Sequence, residues 1–581
     1  MRKRILLVYP KFPTTYWSFD HALKFIGKKA SLPPLGLMTV AAMLPEGYEP
    51  RLVDMNIQPL RRRDVEQADL VFISAMIVQK KSFEEVVRLC REVGRPVVAG
   101  GPYPIAMHES IEGVDHFVLD EAELTLPRFL SDLEQGRPQP MYRDAGKPDI
   151  TATPPPRFDL IDVEAYDSMP LQYSRGCPYA CEFCDIIEMF GRRQRTKTPA
   201  QFLREMDAVY RSGHRGSLFV VDDNFIGNRG RTKELLRAMV GWQKRYGFPF
   251  KLSTEASIDL AQDDELLELM VLAGFVMVFV GIETPDEQTL AFTGKAQNLK
   301  QSLLESVRRI QSRGLEVTGG FIVGFDTDQP DIFDRQIAFV QEAGIPIAMV
   351  GLLTALANTQ LGRRLQSEGR LLGDSTGNNT HTLRLNFIPR MPERQLIEGY
   401  KRVLATIYAP KNYYRRCSTL LQRLPERKRP SGLVNRRGVA ALLRSLIRQG
   451  FSRHGIHYWK LLLETLLTRS AYFPDAVALA IKGYHQFRIT DEILKADAFS
   501  RRLAAAQERV QPRVAEILAA GRKALAPAME RNLLRLLRQA QAAYQGFNRD
   551  LQGNLEQALA DFVQTCWGWI HSLQLVRVRS Q

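Results

Sequence analysis

Ser174-Arg175-Gly176-Cys177-Pro178-Tyr179-Ala180-Cys181-Glu182-Phe183-Cys184 places three thiols within eight residues of a chain that holds six cysteines in all. The spacing is Cys-x3-Cys-x2-Cys. Thiolates are soft ligands, suited to iron–sulfur clusters and to zinc. Three close thiolates do not complete a structural zinc site without a fourth ligand, and the next histidine along the chain is His214. A missing fourth ligand is a defect in a structural site and a necessity in a catalytic one. A disulfide framework would spread more cysteines through a smaller chain. Cys90, Cys417 and Cys566 stand alone and read as buried apolar residues.

Outward from the thiols, strand and helix patterns alternate. Strands are expected at 171–174, 218–221, 251–254, 277–282, 317–323 and 348–353, with helices at 199–212, 231–246, 263–273 and 299–313. Six such units predict a partial TIM-type (βα)6 barrel, whose chemistry sits at the C-terminal ends of the strands. Upstream, strands at 4–9, 49–54, 69–73, 96–99 and 116–119 alternate with helices at 36–44, 83–92 and 123–133. That pattern predicts a doubly wound, Rossmann-like parallel sheet. After about residue 390 the strands stop, and helices follow at 393–407, 438–449, 458–467, 476–485 and 491–537. The fold class is therefore α/β, followed by a mostly α-helical C-terminal domain. The expected boundaries are 1–140, a linker at 141–165, 166–390 and 391–581.

The chain has 581 residues, 45% hydrophobic and 25% charged. This is a globular profile for two or three domains. No apolar run approaches the roughly 20 residues needed to span a bilayer. Met1-Arg2-Lys3-Arg4 followed by Ile5-Leu6-Leu7-Val8 imitates a signal peptide, but Tyr9-Pro10-Lys11 ends it without a cleavage site, so a first strand and a cytoplasmic address are expected. The formal net charge is +15, and between Lys411 and Lys460 thirteen Lys or Arg face one acid, Glu426. An anionic membrane surface, a phosphorylated substrate or nucleic acid suits such a patch, and so does a plain solvated face.

The cysteine segment closely resembles the signature of the radical S-adenosylmethionine (SAM) superfamily. The resemblance implies one [4Fe–4S] cluster on Cys177, Cys181 and Cys184, whose open iron binds the amino and carboxylate groups of SAM. A reduced cluster then cleaves SAM to a 5′-deoxyadenosyl radical, with electrons from an external donor. Phe183 matches the aromatic position that packs on adenine. At the second strand end Asp222 and Asp223 stand where Gly-Gly-Glu is usual, in a motif that contacts the SAM amino group. Glu255 ends the third strand, and Glu283, in Gly281-Ile282-Glu283-Thr284, resembles a SAM-contacting position on the fourth. Gly319 and Gly320 resemble the fifth-strand segment that approaches adenine, where missing side chains let the backbone come close. Each carboxylate alone reads equally as a helix N-cap.

The N-terminal unit resembles the cobalamin-binding domain that precedes many radical SAM barrels. Phe72-Ile73-Ser74-Ala75-Met76 and Val98-Ala99-Gly100-Gly101-Pro102 end two strands, where ligands of doubly wound sheets sit. Ser74, Gly100 and Gly101 match positions lining the nucleotide-tail pocket. The Asp-x-His-x-x-Gly motif is absent, since Pro10-Lys11-Phe12-Pro13-Thr14-Thr15 follows the first strand. The resemblance then implies water or nothing below the cobalt. No Gly-x-Gly-x-x-Gly loop supports a dinucleotide.

Together these imply a cobalamin-dependent C-methyltransferase acting on an unactivated carbon. Arg453-His454-Gly455-Ile456-His457-Tyr458-Trp459 and Ala480-Ile481-Lys482-Gly483-Tyr484-His485 extend the resemblance to the subgroup that includes hopanoid C-2 methylases, over roughly residues 1–490. A hopanoid or other lipid-like substrate and peripheral contact with an anionic membrane follow as expectations. A non-methylating cyclisation or rearrangement, and a basic regulatory or nucleic-acid-binding protein with a structural cluster, are the alternatives. The intact three-thiolate motif speaks against the second, so nucleic acid is not an expected partner.

Overall fold

Ile5, Leu6, Leu7 and Val8 are all buried in β1 (Lys3–Tyr9), as a parallel strand covered on both faces requires. This is the segment that imitates a leader. The computed structural model describes residues 3–378, 380, 383–426, 436–547 and 549–578. Beside β1 lie β2 (Tyr48–Asp54), β3 (Leu70–Ser74), β4 (Val97–Gly100), β5 (His116–Val118) and β6 (Met141–Tyr142). The sheet is parallel throughout, in the order β2-β1-β3-β4-β5-β6. Helix Lys80–Val93 covers one face by burying Phe83, Val86, Val87 and Cys90, the spacing of an amphipathic stripe. The two-residue edge strand β6 was not expected, being too short to show alternation.

The second sheet is a curled series. β7 (Ser168–Leu171) begins it, a small ribbon of β8 (Ser174–Arg175) and β9 (Arg195–Thr196) interrupts, and β10 (Gly216–Val220), β11 (Phe250–Glu255), β12 (Phe275–Glu283), β13 (Glu316–Val323) and β14 (Ala348–Leu352) complete it. Its order is sequential, β7-β10-β11-β12-β13-β14, and all pairs are parallel. This is the partial barrel. The expected strand at 171–174 is corrected: the barrel strand stops at Leu171, and Ser174 and Arg175 pair antiparallel with Thr196 and Arg195.

Residues Met1–His485 form one compact unit and Gln486–Gln581 another. The first also contains helices Gln360–Ser367, Glu393–Ile407, Pro410–Arg423, Arg436–Gly450 and Gly455–Thr468. Residues 427–435 of the basic run lie outside the described residues. The break expected at 486–490 is absent, because one helix runs from Phe473 to Ala519. Arg488-Ile489-Thr490 suggests an interruption, but burial of Ile489 and Ile493 outweighs the modest helix cost of β-branching. In the second unit, Val514, Ile517, Leu533, Leu537, Phe562, Cys566 and Ile570 share a core. Among the described residues, no helix is long and apolar enough to cross a membrane. Cys90, Cys417 and Cys566 are buried.

Candidate functional site

The cysteine loop leaves the β8–β9 ribbon at Gly176, where φ is +92°. A Cβ there would lie 2.9 Å from the carbonyl oxygens of Gly191 and Arg193, so glycine is required. The Cys177 N–H donates to Gly191 O at 3.3 Å, and the Glu182 N–H to Thr293 O at 3.0 Å. The Glu182 carboxylate accepts from Arg364 at 3.0 Å. Asp222 is fully buried beneath the loop, accepting from the Tyr173 N–H at 2.7 Å and the Ser174 hydroxyl at 2.5 Å. Both its oxygens are thereby occupied. Through these two bonds Asp222 supports the approach to the loop.

Two side-chain amides point at the sulfurs: Asn224 Nδ2 is 3.9 Å from Cys177 Sγ, and Gln297 Nε2 is 3.8 Å from Cys181 Sγ. Burial pushes the Cys184 thiol up to about 12 and raises that of Cys177. Thiolates form in such a place when a metal supplies positive charge. Among the described residues no three His, Cys, Asp or Glu side chains are grouped to hold a single metal ion. A cluster bonds its thiolates through different irons, so they need not converge on one point. The amide donors and the buried thiols thus fit a cluster.

Carboxylates gather where β10, β11 and β12 end. Burial and then the charge of Asp222 push Asp223 up to about 7. Burial, then Asp223 and Asp222, push Glu255 up to about 8. Neither side chain has a salt-bridge partner among the described residues. Glu283 differs. A register shift in β12 and a φ of +63° turn it back onto Lys295, whose Nζ lies 2.5 Å from Glu283 Oε1. Left-handed backbone at a residue other than glycine marks a constrained site. Gly281 makes the room, since a Cβ on it would lie 2.4 Å from Glu283 Oε1 and 2.8 Å from Lys295 Nζ.

Lys295 is the residue that sequence reasoning missed. Burial works to discharge its ammonium, but Glu283 and the nearby Cys181 and Cys184 outweigh burial and raise its pKa. Its Nζ also stands 5.8 Å from the Phe183 ring centroid. The only local signal was Thr293-Gly294-Lys295. Gly294 has φ +71°, and a Cβ on it would lie 2.9 Å from Ala180 O, inside the cysteine loop. Phe183 packs on Phe325 with the rings tilted at 59° and centroids 5.9 Å apart. Gly319 and Gly320 lie in β13. A Cβ on Gly319 would meet Phe321 at 2.7 Å and one on Gly320 would meet Phe279 at 2.9 Å. Each glycine makes room for a ring of the protein itself.

Ser74, Gly100 and Gly101 come together at the carboxyl ends of β3 and β4. Gly101 has φ +88°, and a Cβ on it would lie 2.4 Å from Ser74 Oγ; one on Gly100 would lie 2.7 Å from Val118 O. Met76, two residues after β3, is exposed beside this edge, and Trp17, in the segment that follows β1, is exposed as well. Large apolar side chains left uncovered beside a tight backbone edge fit a large flat ring system. Trp17 also touches the barrel, 5.2 Å from Phe279 in β12. His21 is packed against His485, 5.5 Å between rings. Tyr413 is a core residue, its hydroxyl donating to Leu479 O at 2.7 Å.

One buried network ties this edge to the cysteine loop. Arg175 and Arg195 face each other across the ribbon. Arg175 binds Glu121 at 2.7 Å and Glu123 at 2.8 Å, and Arg195 binds Glu121 at 2.7 Å. Both acids stand at the start of helix Ala122–Glu134.

Comparison with known proteins adds independent findings. Residues 171–340 match the model of the radical SAM superfamily, residues 29–130 that of the B12 binding domain, and residues 359–498 a domain of unknown function. An uncharacterized methyltransferase of Synechocystis sp. is 42% identical over 487 residues, 83% of this chain and 91% of that protein. A hopanoid C-2 methylase of Rhodopseudomonas palustris is 35% identical over 478 residues, 80% of this chain and 90% of that protein. Among solved structures, the cobalamin-dependent SAM radical enzyme OxsB with aqua-cobalamin bound superposes with a TM-score of 0.56 at 16% identity, over 85% of this chain and 80% of that one. The likeness to OxsB is one of fold.

Proposed function

This chain belongs to the cobalamin-binding radical SAM family, in the subgroup of hopanoid C-2 methylase, and from that premise we propose that it methylates an unactivated carbon of an apolar, polycyclic lipid. It is an enzyme that works with a [4Fe–4S] cluster, SAM and cobalamin. When bound, these groups supply a hydrogen-abstracting radical and a methyl group, and the protein's task is to position them and to exclude water.

We assign the cluster to Cys177, Cys181 and Cys184, with the Asn224 and Gln297 amides as hydrogen-bond donors to the sulfurs. Asp223 and Glu255, two acids without a cation, suit the ammonium of SAM, and Lys295 suits its carboxylate. Phe183 suits the adenine. Cobalamin is assigned to the carboxyl edge of the first sheet, over Ser74, Gly100 and Gly101, with residues 1–140 as its domain, 166–390 as the barrel and 391–581 as the helical remainder. The contact between Trp17 and Phe279 is the observation that supports transfer between the two sites most strongly. It joins the segment that follows the first strand to a strand of the barrel, which supports one shared space in which a substrate would meet both groups.

Anaerobic turnover with a hopanoid in detergent, SAM and a reductant tests the reading. The expected product is heavier by one methylene unit and accompanied by both S-adenosylhomocysteine and 5′-deoxyadenosine. A product of unchanged mass with 5′-deoxyadenosine alone would identify a rearrangement and refute methyl transfer.

A further inference from the structure

Helix Arg436–Gly450 is inside out. Its buried residues are Ala441, Ser445 and Gln449, while Val439, Leu443 and Ile447 are exposed, Ile447 at 68%. Both sets repeat every four residues and are offset by two, so they occupy opposite faces of the helix. A helix packed on a globular core normally shows the reverse arrangement.

The next helix, Gly455–Thr468, extends the same surface. It buries Tyr458, Leu461, Leu462 and Thr465, yet it also exposes Ile456 at 76% and Leu467 at 84%, together with Trp459, Leu463 and Leu466. Phe451, in the turn between the helices, is 89% exposed. The turn is held tightly: the Trp459 indole N–H donates to Gly450 O at 3.2 Å, and a Cβ on Gly450 would lie 3.1 Å from the indole ring. The hairpin therefore offers a broad apolar surface, larger than scattered single residues would account for.

Charge decides what covers it. From Arg436 to Thr468 the cations are Arg436, Arg437, Arg444, Arg448, Arg453 and Lys460, all exposed, against the single acid Glu464; Arg437 also pairs with Glu164, Arg444 donates to Phe25 O at 2.7 Å, and Arg448 lies over the Phe25 ring. Glu464 is engaged with Ser418 and Gln422. An apolar face bordered by Arg and Lys and carrying a Trp suits the headgroup–acyl boundary of an anionic bilayer. A second copy of the same hairpin would set like charges against each other.

We propose that the hairpin Arg436–Thr468 is a monotopic membrane anchor, which buries Phe451, Ile447, Ile456 and Leu467 in the acyl boundary of an anionic bilayer while exposed cations such as Arg436, Arg453 and Lys460 face the lipid headgroups. The anchor does not depend on which carbon the enzyme methylates, so its test is separate from turnover. The full chain is floated with vesicles of phosphatidylcholine containing about 30% phosphatidylglycerol. The expected result is association that weakens at least tenfold in pure phosphatidylcholine. Ile447→Glu/Leu467→Glu, which alters only exposed residues, should keep the melting temperature and lose the association. Brominated lipids should quench the wild-type protein more than Trp459→Phe. Absence of flotation with anionic vesicles overturns the proposal, as does a double variant that floats like wild type. So does a wild-type dimer in sedimentation that the double variant dissolves, since the face would then be covered by a second copy.

Discussion

Both sheets have six parallel strands, yet they build their sites differently. In the first, strand order reverses at β1, and Trp17 and Met76 leave β1 and β3 on either side of the reversal. That is where diverging connections open a crevice in a doubly wound sheet. In the second, order never reverses, so successive strand ends converge and Asp223, Glu255 and Glu283 meet in one place. One site is a backbone ledge lined by glycine and apolar side chains. The other is a ring of charge. The first suits a large cofactor held by shape, the second a small ionic cosubstrate held by electrostatics.

The difference predicts separable losses. Cys184→Ala should abolish iron incorporation and SAM cleavage while leaving cobalamin binding intact, read by iron and cobalt counts after anaerobic reconstitution. Gly101→Ala should do the converse. Its left-handed φ and the 2.4 Å approach to Ser74 Oγ force the ledge to shift, at a cost of about 1–3 kcal/mol. Cobalt occupancy should fall with iron unchanged. If both variants lost both cofactors, the two sites would be one cooperative structure and the contrast would be wrong.

Lys295→Met sharpens the charged side of the comparison. It strands Glu283, whose side chain is 10% exposed, and breaking such a pair costs about 3 kcal/mol. The melting temperature should drop, and Glu283→Gln in the same chain should restore part of it. The smallest effect concerns pH. Glu255 is raised to about 8 from an ordinary carboxylate value near 4.5. A raised acid is stabilising while protonated, so the metal-free protein should lose stability as pH climbs from about 4.5 through 8. Glu255→Gln should flatten that slope by about 1–2 kcal/mol, discounted for the side chain's partial exposure.

What the sequence could reveal follows from distance along the chain. The cysteine loop was legible because its ligands lie within eight residues and their spacing carries the chemistry. The strand series was legible because apolar runs such as Ile5–Val8 are buried on both faces. Lys295 was not legible: it lies more than a hundred residues from Cys184, and only the left-handed turn at Gly294 delivers it. The role of Asp222 was hidden for a related reason. Adjacent acids on a strand end point opposite ways, and a sequence does not say which one turns inward to hold Tyr173 and Ser174. The first barrel strand was misplaced because Leu171-Gln172-Tyr173-Ser174 keeps an alternation of apolar and polar residues after the barrel strand has ended.

The four-residue knot of Arg175, Arg195, Glu121 and Glu123 makes this enzyme poorly suited to modular exchange. Cutting away the first 140 residues would strip two guanidinium groups beside the cysteine loop of both their counter-ions. Attaching the barrel to a foreign cobalamin module would do the same, unless the donor carries acids at both of those places. Replacements on surfaces away from this seam leave the pairing of the two halves undisturbed.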